Sequence, residues 1–172
     1  MMTGSQRNRC FLIAGIIGIL MLSMAGPGIA ADLTEAEKEL ALIINSERAA
    51  RNLPLLRLHD RLSHVAWLHS TDMAERDTLT HDSPGGGTAR ERLENNGYEW
   101  TAYGEIIGRE HSGSARDMVN IWLKSPPHAT IMLSPDYAEF GVAAAHKRGW
   151  FGTWYWTVVF GSPTSRQSPH SR

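Results

Sequence analysis

Only one cysteine, Cys10, occurs in the 172 residues, and its position limits what the chain can fold into. It lies in a segment unlike the rest. Arg7 and Arg9 make a basic start, residues 11–24 are apolar apart from Gly and one Ser, and Pro27, Gly28, Ala30 and Ala31 supply small residues. Basic, then apolar, then small is the order of a secretory signal peptide. The apolar run is 14 residues, short of the ~20 that cross a bilayer, and Pro27 and Gly28 interrupt it. Cleavage is expected after Ala30 or Ala31, so residues 1–30 are a removable leader. The mature chain should be exported and should not span the membrane. Without Cys10 it has no disulfide, no thiolate ligand and no cysteine nucleophile. An apolar core must hold it together.

The composition can supply that core. Hydrophobic residues make up 42% and charged residues 20%, which is not the composition of a disordered chain. Lys and Arg total 17 against 18 Asp and Glu. Loss of the leader removes two basic residues and shifts the net charge from -1 to -3. No clustered basic excess exists to hold nucleic acid, and that partner is excluded.

Periodicity then gives the order of elements. Thr34 and Glu37 form a capping box opening a helix over 32–52, with Leu40, Ile43, Ile44 and Glu47 at helical spacing and Pro54 as the stop. Asp60 is a good N-cap for a second helix, ending near Arg76, with Leu62, Ala66, His69 and Met73 on one face. A loop over 78–87 ends in three glycines, and a short helix over 88–95 closes at Asn96-Gly97. Residues 98–109 read as strand and loop. A third long helix over 114–124 turns Ala115, Met118, Ile121 and Trp122 inward, Pro126 and Pro127 end it, and 128–133 form another short turn. Residues 140–145 and 153–160 form an antiparallel hairpin. Trp150, Phe151, Trp154, Tyr155 and Trp156 read as hairpin packing. The polar stretch 162–172 is expected to be a disordered tail. Helices first and a hairpin last, without βαβ alternation, indicate an α+β domain over 31–161.

Three residues stand out chemically. His81 and His128 each sit beside prolines at a helix end, in Thr-His-Asp-Ser-Pro and Ser-Pro-Pro-His, and Glu105 follows Gly104 in an apolar stretch. Loops tied to rigid helices often carry sites. His69 reads as a core histidine, His59, His64, His111 and His146 as solvated, and His170 as part of the tail. There is no HExxH, no CxxC and no GxSxG, and the three glycines lack the Lys-Ser/Thr of a phosphate loop.

The order of motifs resembles the CAP superfamily (cysteine-rich secretory proteins, antigen 5 and pathogenesis-related 1) in a bacterial, cysteine-free form. The first helix carries Asn45-Ser46-Glu47-Arg48. Leu53-Pro54-Leu55 and Asp60-Arg61-Leu62 come next, then His69 with Asp72-Met73-Ala74, His81-Asp82-Ser83-Pro84, Gly104-Glu105, Trp122 through His128, Glu139-Phe140-Gly141-Val142 and Trp156 through Gly161. The resemblance implies a three-layer α-β-α sandwich with a central antiparallel sheet and a surface cleft. His81, Glu105 and His128 match the family's cleft residues, which in several members bind a divalent cation. They are thus the candidate metal ligands, for Zn2+ above all, and the candidate catalytic groups. The sequence departs from the family pattern at Ile106, Ala129 and Ile131, where polar residues are usual, and at Ser125, where many eukaryotic members have a glutamate. Ser125, Asp82 or Glu139 is expected to supply a fourth group. The resemblance favours a secreted or periplasmic, monomeric binding module for a lipid, peptide or cell-envelope component. The alternatives are a metal-assisted hydrolase using the same cleft and a structural envelope protein.

Overall fold

The computed structural model describes Met1 and residues 33–84, 87–150 and 152–165. The leader and Cys10 lie outside the described residues. Among those described, nine elements run in order: α1 (Glu35–Ala49), β1 (Arg57–Leu58), α2 (Asp60–Arg76), α3 (Ala89–Asn95), β2 (Trp100–Glu110), α4 (Ala115–Leu123), α5 (Pro126–Met132), β3 (Glu139–Lys147) and β4 (Thr153–Pro163).

The capping box of α1 is present, and Glu37 does more than cap. Its Oε2 accepts from the Thr34 backbone at 2.8 Å, while Oε1 accepts from the Ala144 backbone of β3 at 2.9 Å. One carboxylate thus starts the helix and fastens it to the sheet. Proline ends α4 as expected, but Pro126 and Pro127 also begin α5, where the missing N–H groups cost nothing.

The sheet has the order β1-β3-β4-β2. The three long strands are antiparallel, and the two-residue β1 adds a parallel edge to β3, so the sheet is mixed. Strand alternation divides the core. Ile106, Phe140, Val142, Trp156, Val158 and Phe160 face α1, α4 and Met132 of α5. Ala143 and Val159 face Leu62, Val65 and Ala66 of α2 and Leu93 of α3. Helices on both faces make the α-β-α sandwich.

Three expectations need correction. Ile121 is exposed, because Met118, Val119 and Trp122 already fill the inward face of α4. Trp150 is 95% exposed and is not part of the packed core. The tail does not begin at Ser162: Ser162 and Pro163 pair with Ala102 and Trp100 of β2, and the Thr164 backbone donates to the Glu99 carbonyl at 3.1 Å. The rest of the expected tail, 166–172, lies outside the described residues.

Candidate functional site

Glu105 lies on β2, an outer strand of the sheet, and alternation turns it with Ile107 toward the α2 side. The residue is 7% exposed. A buried carboxylate needs partners, and three elements supply them. His81, in the loop after α2, donates from Nδ1 to Oε1 at 2.9 Å. Arg92 of α3 donates from Nη2 to Oε2 at 2.7 Å. His69 of α2 places Nε2 3.8 Å from Oε1, beyond hydrogen-bond distance. Burial is the largest single influence and pushes the Glu105 carboxyl up, but His81, Arg92 and His69 together outweigh it, and the group lies below the ordinary glutamate value. Glu105 is therefore an anion at neutral pH.

Arg92 also holds the loop that carries His81. Its Nη1 donates to the carbonyls of His81 at 3.1 Å and Gly87 at 2.7 Å, and Ser83 and Gly87 exchange backbone hydrogen bonds across the loop. The imidazole of His81 is 55% exposed, with Nδ1 turned inward to the carboxylate and Nε2 left as the outer nitrogen.

Behind this pair runs a second chain of contacts. Ser83 Oγ donates to Asp72 at 2.7 Å and meets His69 Nδ1 at 3.0 Å. The Ser83 proton serves Asp72, so His69 Nδ1 carries a proton and donates to Ser83. His69 is fully buried, and burial lowers its pKa most, opposed by the Glu105 carboxylate and the Thr80 carbonyl. The core role expected for His69 is correct, yet it also borders the site. Arg92 gave no signal in the sequence, where it reads as one more charge on a short helix. Its 4% exposure is visible only in the fold.

His128 sits at the third position of α5, on the other side of β2. Ile131, one turn on, packs so close to Gly104 that a side chain there would collide with it and with the Tyr137 hydroxyl. His128 Nδ1 bonds Ser125 Oγ at 2.7 Å, and Ser125 leaves the helix N-terminus uncapped to do so. Burial, then the charge of His81, lowers the His128 pKa. The two imidazoles thus feel one another, while His128 makes no hydrogen bond to Glu105. Among the three residues expected to supply a fourth group, Ser125 approaches through His128 and Asp82 is exposed beside His81. Glu139 does not belong to the site. It is spent on Arg57 and on the Tyr98 hydroxyl at 2.9 Å, a separate buried cluster.

The donor set is a poor match for a divalent cation. Both Glu105 oxygens are engaged, one of them by a buried guanidinium whose charge opposes a cation. Two imidazole nitrogens remain. Among the described residues no group of three His, Cys, Asp or Glu is arranged to hold a metal ion. Glu105 in this arrangement does not fit the role of a ligand.

Comparison with known proteins gives the same outline. The description "cysteine-rich secretory protein family" matches residues 43–160. The protein YkwD of Bacillus subtilis (strain 168) is 27% identical over 106 residues, covering 62% of this chain and 41% of that protein. An extracellular protein containing a SCP domain from Bacillus anthracis is similar at 27% identity and a TM-score of 0.64, over 73% of this chain and 40% of that one. An outer surface protein from Borrelia burgdorferi is similar at 25% identity and a TM-score of 0.67, over 76% of this chain and 95% of that one. The chain therefore spans about two fifths of both Bacillus proteins.

Proposed function

The chain belongs to the cysteine-rich secretory protein family, and from that premise we propose an exported binding module whose cleft takes a polar cell-envelope ligand without a metal. His81 and His128 are the groups that touch it, and Glu105 and Arg92 fix His81. The observation that carries this reading is the engagement of both Glu105 oxygens by His81 and Arg92. A carboxylate so committed orients an imidazole instead of ligating a cation. In the tautomer that carries its proton on Nδ1, His81 offers Nε2 as an acceptor for a ligand hydroxyl or amide. Export is supported by the leader-like residues 1–30 and by relatives described as extracellular or outer-surface proteins. No helix among the described residues is long and apolar enough to cross a membrane.

The test is co-sedimentation of the purified chain with isolated cell-envelope material, with and without a chelator. Binding should survive chelation and fall about tenfold or more in the His81→Ala, His128→Ala double variant. Binding that chelation abolishes would restore the divalent cation, with Zn2+ held by the two imidazoles. Unchanged binding by the double variant would remove the cleft from the account. A second reading has its own observation: the 2.9 Å His81–Glu105 bond is also the pairing that orients a general base. Turnover of envelope peptides or esters that disappears in His81→Ala would favour that hydrolase.

A further inference from the structure

A pocket of about 280 Å³ opens between α2 and α3, behind the Glu105 network and not shared with His81 or His128. We propose that it binds a neutral saccharide. Leu68 and Asp72 of α2, Ser83 and Pro84 of the loop, and Arg92 and Asn95 of α3 line it, with Asn96 at its edge. The volume lies just below the range of small-molecule sites, roughly 300 to 1,000 Å³, which suits a ligand of one ring that is held only in part.

Charge selects the ligand first. The lining holds one anion and one cation, and each is already paired inside the protein. Arg76 grips Asp72, with Nε donating to Oδ1 at 2.9 Å and Nη2 donating to Oδ2. Arg92 is paired with Glu105 at 2.7 Å. A charged ligand would leave water for a pocket with no free countercharge, and that desolvation would go uncompensated. A neutral ligand carries no such cost.

Polarity selects next. Asp72 and Ser83 are committed to Arg76, His69 and one another, so the polar groups offered to a ligand are the amides of Asn95 and Asn96, which carry both donors and acceptors. Asn96 commits its Nδ2 to the Arg92 carbonyl at 2.8 Å, which leaves its amide oxygen for a ligand. Leu68 and Pro84 add apolar surface beside these groups. A pyranose has this mixture: hydroxyls that donate and accept around its rim, and C–H faces that pack on apolar side chains.

This inference does not rest on the reading of the His81 cleft. The test is amide-resolved NMR titration of the full chain with N-acetylglucosamine and its β-1,4-linked dimer at millimolar concentration. Glucosamine and glucuronate serve as the cationic and anionic probes. Shifts are expected at Leu68, Ser83, Asn95 and Asn96 with the neutral sugars, together with weaker responses to both charged ones. Asn95 is exposed at the end of α3, so Asn95→Ala should keep the melting temperature while weakening binding about fivefold or more. Leu68→Glu, also on the surface, should block the site. Shifts confined to residues around His81 and His128 would put the sugar in the cleft and overturn the pocket assignment. So would undiminished binding by Asn95→Ala, the absence of shifts with all probes, or tighter binding of a charged probe.

Discussion

Motif residues that look chemical in the sequence divide here into those that hold the fold and those that gather around Glu105. Asn45 clamps the Leu56 backbone in both directions at 2.9 Å, and Arg48 is fully buried, donating to the carbonyls of Pro54, Met132 and Ser134, each at 2.9 Å. Both fasten α1 to the turn before β1 and Arg48 adds the end of α5, so neither is a binding group. Arg92 serves both ends. Arg92→Leu would leave Glu105 buried without its cation and free the His81 loop. Breaking such a pair costs about 3–5 kcal/mol, and urea unfolding should show a loss of that order. The buried His69 predicts how stability depends on pH. Its folded pKa is lowered, whereas an unfolded histidine takes its proton near about pH 6.5. Below that value the unfolded state binds more protons, so stability falls with falling pH until the folded ring also protonates. Unfolding midpoints of the wild type should decline from about pH 7 to about pH 5, and His69→Asn should decline less. Equal slopes would show that other groups set the acid limit.

At the scale of elements, Gly141 decides how α2 meets the sheet. A side chain at this position of β3 would overlap the backbone of Leu62 and Ser63 in α2. Gly141→Val should therefore push the helix off the sheet and cost about 3 kcal/mol, the upper end for overpacking, measured as a lowered unfolding midpoint. The glycine was visible in the sequence only as the small member of an alternating strand. Helices and hairpin were legible because their signals are local: the Thr34–Glu37 box, the apolar spacing of α2, the alternation from Phe140. β1 was not, since two residues carry no period and pair with β3 only after the chain has turned. The start of α5 at Pro126 was hidden because a proline pair that stops one helix can open the next. The cluster around Glu105 was half legible. His81 and Glu105 could be matched by motif and do meet, but Arg92, His69 and Ser83 join them through tertiary contact between α2, α3 and β2, which no spacing along the chain encodes.

For the whole molecule, the position of β2 matters most. It is an outer strand, paired on one side only; His81, Arg92 and His69 gather at Glu105 on its α2 side, and Ile131 of the helix that carries His128 packs on Gly104 from the other. A site hung on an outer strand is as rigid as that strand's single ladder. β4 supplies the ladder along its full length, including Ser162 and Pro163 beyond the boundary that composition suggested. Three further contacts anchor this corner: Ser162 Oγ donates to the Asp136 carbonyl at 2.6 Å, Thr101 Oγ1 to the Ser162 carbonyl at 3.2 Å, and the Thr164 backbone to the Glu99 carbonyl at 3.1 Å. A chain ending after Gly161 loses all of them, while one ending after Ser165 keeps them. Each hydrogen bond is worth about 1 kcal/mol net, so the shorter chain should be less stable by about 2–4 kcal/mol. The loss should also be uneven. Amide hydrogen exchange should rise first in residues 100–104 of β2 and, through Gly104, reach Glu105 and the His81 pairing, while α1 and α4 on the opposite face stay protected. Uniform loss of protection across both faces would mean that the sandwich opens as one unit and that this corner has no separate hold on the Glu105 cluster.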